Sequence, residues 1–310
     1  MMGKVEFIRN LYNITPKHYG CVATIGNFDG VHLGHQRILQ RLHEQAGLLQ
    51  LPSLLITFEP LALEFFAKET PARLMRLREK LMVLNHYPVD RVLSLKFNVR
   101  FASLTAEEFV KTILVEKLGI KYLIVGDDFR FGKNRQGDFN LLKQLGEQYH
   151  FQVANTETVL FNNERVGSSR VRAALRAGNF KLAEQLLGRT YRMSGHVIHG
   201  DKRGRQLGFP TANLLLNRKV SPLLGVFAVK VHGLGRQPLP GVANVGRRPT
   251  VDGHKQLLEV FLLNFQQDIY TQFIQVEFIE KIRDEQRFNS IDLLKQQIQK
   301  DVAIAKNILL

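Results

Sequence analysis

The chain has 310 residues, 45% hydrophobic and 23% charged, enough for one large or two ordinary domains and unlike a disordered polypeptide. Its one cysteine, Cys21, excludes an internal disulfide framework and a cysteine-held zinc cluster, and no stretch reaches the length of a membrane span or forms a signal-peptide apolar region, which points to a cytoplasmic setting. The net charge of +15 is shared between residues 1–185 (25 Lys and Arg against 18 Asp and Glu) and 186–310 (18 against 10), so it forms no basic tail and suits small polyanions as well as non-specific attraction to RNA.

Cys21 to Ile25 is a short apolar, β-branched run closed by Gly26, the pattern of a strand buried on both faces, and within it Cys21 reads as a core residue. From Gln36 the period changes, with Ile38, Leu42, Ala46 and Leu49 at helical spacing, so His32-Leu-Gly-His35 sits where a helix begins. The first turn of a helix presents unpaired N–H groups and the positive end of its dipole, which attract phosphate. His32 and His35 add donors there, Gly26, Gly30 and Gly34 permit a sharp turn and close approach, and Asn27 and Asp29 supply polar groups. A plain strand-to-helix turn with two solvated histidines is the alternative.

Ser53 to Phe58 is a second strand, stopped by Glu59-Pro60, and Arg91 to Leu95 a third. Thr105-Ala-Glu-Glu108 is a capping box opening a helix with Phe109, Ile113, Leu114 and Leu118 on one face. A strand at Tyr122 to Gly126, a helix around Asn140 to Gln148 and a strand at Phe151 to Ala154 follow. This alternation predicts an α/β domain with a doubly wound parallel sheet, ligands binding at the carboxyl ends of its strands. Such an end carries Asp127, Phe129, Arg130 and Phe131 in Gly126-Asp-Asp-Phe-Arg-Phe-Gly132, either a site for a planar ring beside phosphates or a solvated loop. Val166-Gly-Ser-Ser-Arg-Val-Arg172 then opens a helix ending at Gly178; Ser168 or Ser169 is its N-cap, or joins Arg170 and Arg172 in a second anion site.

After a short helix from Asn179 to Gly188 the alternation stops. Strands at Tyr191 to His199, Gly225 to Val231, Leu257 to Phe265 and Phe273 to Ile279, with Pro238, Pro240 and Pro249 marking connections, predict a small β-barrel in a second domain, 186–310 after 1–185. A final helix from Ser290 packs outside it through Ile291, Leu294, Ile298, Val302 and Ala305. Gly200-Asp-Lys-Arg-Gly-Arg205 is glycine-rich and basic, and in Gly208-Phe-Pro-Thr-Ala-Asn213 the Thr211 hydroxyl and Asn213 carbonyl oxygen are hard neutral ligands of the kind Mg²⁺ accepts, or else part of a turn entering a strand. Glu259, an acid in the apolar run Leu258-Glu-Val, either faces solvent or is a positioned base.

Gly26-Asn-Phe-Asp-Gly-Val-His-Leu-Gly-His35 resembles the nucleotide-binding signature of bacterial bifunctional FAD synthetases, within the His-x-Gly-His nucleotidyltransferase superfamily. The 126–132 loop is similar to that family's FMN and ATP segment, and 166–172 to its Ile-Ser-Ser-Thr-x-Ile-Arg, with Gly167 for the first serine and Ser169 for the threonine. Leu61-Ala62 stands where relatives often carry His-Pro. Gly208 to Asn213, Gly241-Val-Ala-Asn-Val-Gly-x-Arg-Pro-Thr250, Leu258-Glu-Val and Ile282-Arg-Asp-Glu-x-x-Phe288 are similar to the riboflavin kinase module of the same enzymes, with Phe261 and Asn264 departing from it.

The resemblance implies phosphorylation of riboflavin to FMN in the C-terminal domain and adenylylation of FMN to FAD in the N-terminal one, each with ATP. It implies Glu259 as general base, Thr211 and Asn213 as Mg²⁺ ligands, and Gly200, Lys202, Gly204, Gly208, Pro210 and Arg283 as binding residues of the kinase. For adenylylation it implies His32, His35, Asn27 and Arg172 in catalysis and Gly26, Phe28, Asp29, Gly34, Asp127, Phe129, Arg130, Phe131, Ser168 and Ser169 in binding. Neither nucleic acid nor membrane is expected as a partner. A nucleotidyltransferase for another substrate, or a basic RNA-binding protein with a degenerate nucleotide fold, are the alternatives, and neither predicts the second motif set.

Overall fold

The structure, a computed structural model, describes residues 4–67, 69–200, 208–250 and 253–310, with the backbone alone at 247–250 and 253–255. It divides into two compact units, Met1–Pro71 with Lys80–Gly167, and Ala72–Glu79 with Ser168–Leu310. The division thus falls at Gly167, upstream of the 185/186 junction proposed from the sequence, and the second unit also takes in a short segment from the first half of the chain.

In the first unit β1 (Glu6–Arg9), β2 (Cys21–Ile25), β3 (Ser53–Glu59), β4 (Arg91–Lys96), β5 (Ile120–Gly126) and β6 (Gln152–Thr156) form an all-parallel sheet in the order β1-β4-β3-β2-β5-β6. The connecting helices are α1 (Leu33–Leu49), α2 (Ala62–Phe66), α3 (Leu77–Leu84), α4 (Val99–Ala102), α5 (Ala106–Phe109) and α6 (Phe139–Tyr149), with α3 lending its first turn to the second unit. Every residue of β2 is buried, as its unbroken apolar run requires of a strand covered on both faces. Cys21, Ala23 and Ile25 share one core with Leu54, Leu93 and Leu123, and burial pushes the Cys21 thiol up to about 12, so it is an inert core group. The capping box at Thr105 forms, Glu108 N–H donating to Thr105 Oγ1 at 3.1 Å and Thr105 N–H to Glu108 Oε2 at 2.8 Å. Past Phe109 the helix widens into a π-helical segment, Val110–Lys117, which turns Val110, Ile113 and Leu114 into the core. The unit ends in a two-residue hairpin, β7 (Leu160–Phe161) and β8 (Glu164–Arg165), turned by Asn162 and Asn163 at φ 51° and 60°.

The second unit opens with α7 (Ser168–Arg176) and α8 (Phe180–Leu187), α8 closed by Gly188 at φ 68°. Strands β9 (Arg192–His196), β10 (Thr211–Leu215), β11 (Gly225–His232), β12 (Leu239–Thr250), β13 (Gly253–Leu262) and β14 (Phe273–Arg283) form an antiparallel sheet in the order β10-β13-β12-β11-β14-β9. Ile198 N–H donates to Asn213 C=O at 2.8 Å, so the chain leaving β9 pairs with β10 and closes the sheet into the expected barrel. Strand β12 corrects the sequence reading, which took its prolines for connections: Pro240 and Pro249 lie next to the strand's two ends, where a missing N–H costs the ladder least. The last helix, α9 (Ile291–Leu309), packs Val302, Ala305, Ile308 and Leu309 on Val226, Ala228 and Val242. Ile291, expected on that face, is 69% exposed, and the helix packs through its C-terminal half.

Within the second unit Glu79 and the fully buried Arg218 pair at 2.5 Å. Arg218 also donates to the Arg73 and Leu74 carbonyls at 3.0 Å and to Tyr191 Oη at 2.9 Å, while Glu79 accepts from Ser194 N–H at 3.0 Å and Arg76 N–H at 2.7 Å. Most lone pairs and protons of the two ions are thus used, which offsets their desolvation. Glu79→Ala leaves a buried guanidinium uncompensated and destabilises this unit by about 3–5 kcal/mol, read as a lowered urea midpoint of the full chain, while Glu79→Met with Arg218→Met recovers most of the loss.

On β1, Glu6 meets Lys17 at 2.5 Å, His18 at 3.1 Å and Arg91 at 3.3 Å, and hydrogen bonds from Lys17 and then His18 hold its carboxyl down at about 2, against an ordinary 4.5. A lowered folded value gives stability that is complete above pH 4.5 and lost as pH falls toward 2. Glu6→Gln therefore lowers the urea midpoint at pH 7 and leaves it unchanged near pH 2, the effect being small because the carboxylate is a third exposed to solvent.

Candidate functional site

The first site follows from strand order. From β2 the chain moves through α1 to β3 on one side and later returns to β5 on the other, so the carboxyl ends of β2 and β5 flank the topological switch point, where open parallel sheets bind ligands. The turn out of β2 is held by its carbonyls: Asn27 C=O accepts Lys80 Nζ at 2.6 Å and Thr57 Oγ1 at 3.2 Å, and Val31 C=O accepts Gln36 Nε2 at 2.9 Å. Phe28 at φ 45° and Val31 at φ 42° take left-handed backbone that only surrounding contacts can maintain, and Gly30 takes it at φ 91°.

His32 caps α1, its Nδ1 accepting His35 N–H at 3.3 Å, so in the neutral ring the proton sits on Nε2. The His35 ring stacks on His32 at 3.7 Å and lies 4.6 Å from Phe28. A Cβ on Gly34 would stand 3.2 Å from the His32 ring, so glycine lets that imidazole lie against the first turn. The arrangement joins two imidazoles to the N–H groups of a 17-residue helix, a ready anion site. Asn27 Oδ1 is buried without a hydrogen-bond partner among the described residues. Phe28 and Asp29 are themselves buried, 1% and 2% exposed, and build the turn.

On β5's side, Asp127 accepts from Thr158 Oγ1 and from Arg165 Nη2 at 2.7 Å, and Asp128 meets the same arginine at 3.1 Å. Phe129 and Phe131 stack at 5.5 Å, with Phe131 in the core and its ring where a Cβ on Gly137 would clash at 2.7 Å. The half-buried Phe129 and the exposed Arg130 remain accessible. Ser168 and Ser169 open α7 in the second unit, where Arg172 Nε donates to Ala72 C=O at 2.6 Å.

The second site lies in the barrel. Antiparallel register sets Asn213 opposite Glu259 and Glu259 opposite Asn244, so three polar side chains share one face of β10, β13 and β12, about 5 Å between neighbouring Cβ atoms. Asn213 Nδ2 donates to Thr211 C=O at 3.2 Å, and its Oδ1 is buried without a hydrogen-bond partner among the described residues, which suits a hard cation. Gly200 is required beside it, since a Cβ there would lie 2.5 Å from Asn213 Nδ2. Gly200, Pro210, Thr211 and Asn213 line a cavity of about 410 Å³ together with Asp268 and Tyr270. Gly208 turns the chain into β10 at φ 88°. Lys202 and Gly204 lie outside the described residues.

Arg283, expected to bind substrate, meets α9: its Nε and Nη2 donate to Asp301 at 2.9 and 2.7 Å, and Nη1 donates to Asp284 C=O. Sequence reasoning missed Asn244, whose place beside Glu259 comes from strand register, and Lys80, whose helix gave no sign of the turn it reaches. The Asn within Gly241-Val-Ala-Asn-Val-Gly was the available signal for the former.

A family model described as FAD synthetase matches residues 14–170 and one described as riboflavin kinase matches 187–309. Proteins named bifunctional riboflavin kinase/FMN adenylyltransferase are similar over 97% of this chain, from Escherichia coli (strain K12) at 51% identity, covering 97% of that protein, and from Haemophilus influenzae at 47%, covering 98%. A solved structure described as a macrolide-efflux protein from Streptococcus pneumoniae superimposes with a TM-score of 0.78 at 31% identity, over 98% of this chain and 99% of that one. In the present chain, among the described residues, no helix is long and apolar enough to cross a membrane.

Proposed function

The chain belongs to the bifunctional riboflavin kinase/FMN adenylyltransferase family, and from that premise we propose how its residues divide two successive phosphorus transfers from ATP. It phosphorylates riboflavin to FMN and adenylylates FMN to FAD with release of pyrophosphate. In the barrel, the terminal hydroxyl of riboflavin attacks the γ-phosphorus while Glu259 takes its proton, since an alcohol needs a carboxylate within hydrogen-bond reach. The register that sets Glu259 directly opposite Asn213 carries this assignment. Thr211 and Asn213 Oδ1 would hold Mg²⁺, which neutralises charge on the transferring phosphoryl group.

In the α/β unit the FMN phosphate attacks the α-phosphorus of ATP. A phosphate nucleophile is already ionised, so catalysis consists of aligning two anions and stabilising the departing pyrophosphate. His32 Nε2–H, His35, the Asn27 side chain and the first N–H groups of α1 supply that work; Ser168, Ser169 and Arg172 are read as further phosphate ligands on family resemblance. The polyphosphate substrates account for the basic charge without a nucleic-acid partner, and the buried Cys21 supports a cytoplasmic setting.

Incubating the full chain with riboflavin, ATP and Mg²⁺ and separating riboflavin, FMN and FAD by chromatography tests the division. Glu259→Gln lowers FMN formation by about 10²–10⁴-fold and spares FAD formation from supplied FMN. His32→Ala with His35→Ala does the reverse; equal loss of both activities in both variants refutes the assignment. Gly200→Ala, whose added carbon meets Asn213, raises the Mg²⁺ concentration for half-maximal FMN formation and leaves adenylylation unchanged.

A further inference from the structure

Lys80 is 1% exposed, so its ammonium is kept out of water in a place where an apolar side chain of similar length would cost far less to bury. Its contacts are specific: Nζ lies 2.6 Å from Asn27 C=O and 2.9 Å from Thr57 Oγ1, and Thr57, also fully buried, lies 3.2 Å from the same carbonyl. Two donors from β3 and α3 therefore converge on the first peptide of the turn that leaves β2. That peptide precedes Phe28, whose φ of 45° a free chain would abandon for ordinary backbone. Phe28 in turn lies 4.6 Å from the His35 ring, which stacks on His32 at 3.7 Å. Contacts thus run without a break from the ammonium to both imidazoles.

We propose that Lys80 is a positioning residue for adenylyl transfer, fixing the Asn27–Phe28 peptide and through it the His32–His35 pair, without touching substrate. The inference rests on the assignment of those histidines to the FMN adenylyltransfer step. A neutral residue there leaves the core packed but frees the turn to relax, and small displacements of catalytic groups cost rate more than substrate affinity.

The test uses the full chain, whose riboflavin kinase activity reports on the second unit while the urea midpoint and circular dichroism report on folding of the whole. Lys80→Met lowers kcat for FAD formation from FMN by about 10–100-fold, with KM for ATP within about threefold, riboflavin phosphorylation within twofold and the urea midpoint unchanged or raised. Lys80→Arg restores part of kcat. Thr57→Val, which removes the second donor, lowers kcat less, and combined with Lys80→Met adds little, because both act on one carbonyl. The inference is overturned if Lys80→Met keeps kcat within twofold, or if its loss merely tracks a fall in folded protein. Should Lys80→Met fail to fold, Thr57→Val decides alone, and an unchanged kcat there overturns the proposal. His32→Ala with His35→Ala separates the two levels: retained adenylylation in that variant removes the premise, whereas its loss beside an active Lys80→Met rejects the role of Lys80 alone.

Discussion

A parallel sheet whose chain departs from one strand to the left and comes back to its right must leave an opening at the strands' carboxyl ends, and in the first unit that opening lies between β2 and β5. The rest of that site is a response to it. The chain has to pass from Ile25 to the start of α1 at Leu33 without filling the gap, which the turn achieves by folding Phe28 and Asp29 inward and accepting left-handed backbone at Phe28, Gly30 and Val31. Two of these three are not glycine, so the conformation is imposed by contacts on the Asn27 and Val31 carbonyls. A loosely held loop would be cheaper, but it could not keep the two imidazoles stacked against the first turn of α1.

Closure plays the corresponding part in the barrel. The hydrogen bond that seals the sheet ends on the Asn213 carbonyl, and the side chain of that same residue faces Glu259 across the β10–β13 pair. Seam and site therefore share a residue: backbone pairing fixes where Asn213 Oδ1 stands, and the absent side chain at Gly200 leaves room for it. Glu259 is positioned by ladders on both sides, a more exact mounting than a loop provides.

Local chemistry was the part of this molecule legible in its sequence. The buried run of β2, the capping box at Thr105, the glycine stops at Gly178 and Gly188 and the His-x-Gly-His turn each depend on neighbours a few residues away. What escaped depends on distant partners. Arg218 and Glu79 are far apart in the chain and look like ordinary surface charges until folding brings them together. Lys80, Arg283 and Phe131 likewise meet a carbonyl, a carboxylate and the core, partners that no local pattern announces. Periodicity shows which face a residue takes, and it is silent on what that face meets.

The acids at the first site show why pairing matters to function. An adenylyltransferase must bring two polyanions together, so uncompensated carboxylates at the β5 end would oppose binding. Asp127 and Asp128 both meet Arg165, projected from the short β8 strand, and Asp127 also accepts the Thr158 hydroxyl. Arg165 thus offsets one of the two carboxylate charges, and the exposed Arg130 adds a second cation in the same loop. The kinase step has the opposite requirement, because its alcohol nucleophile must lose a proton. There a carboxylate belongs among the reacting groups, and strand register sets Glu259 between Asn213 and Asn244. The two transfers thus ask opposite things of a nearby acid, because one nucleophile is already charged and the other is not.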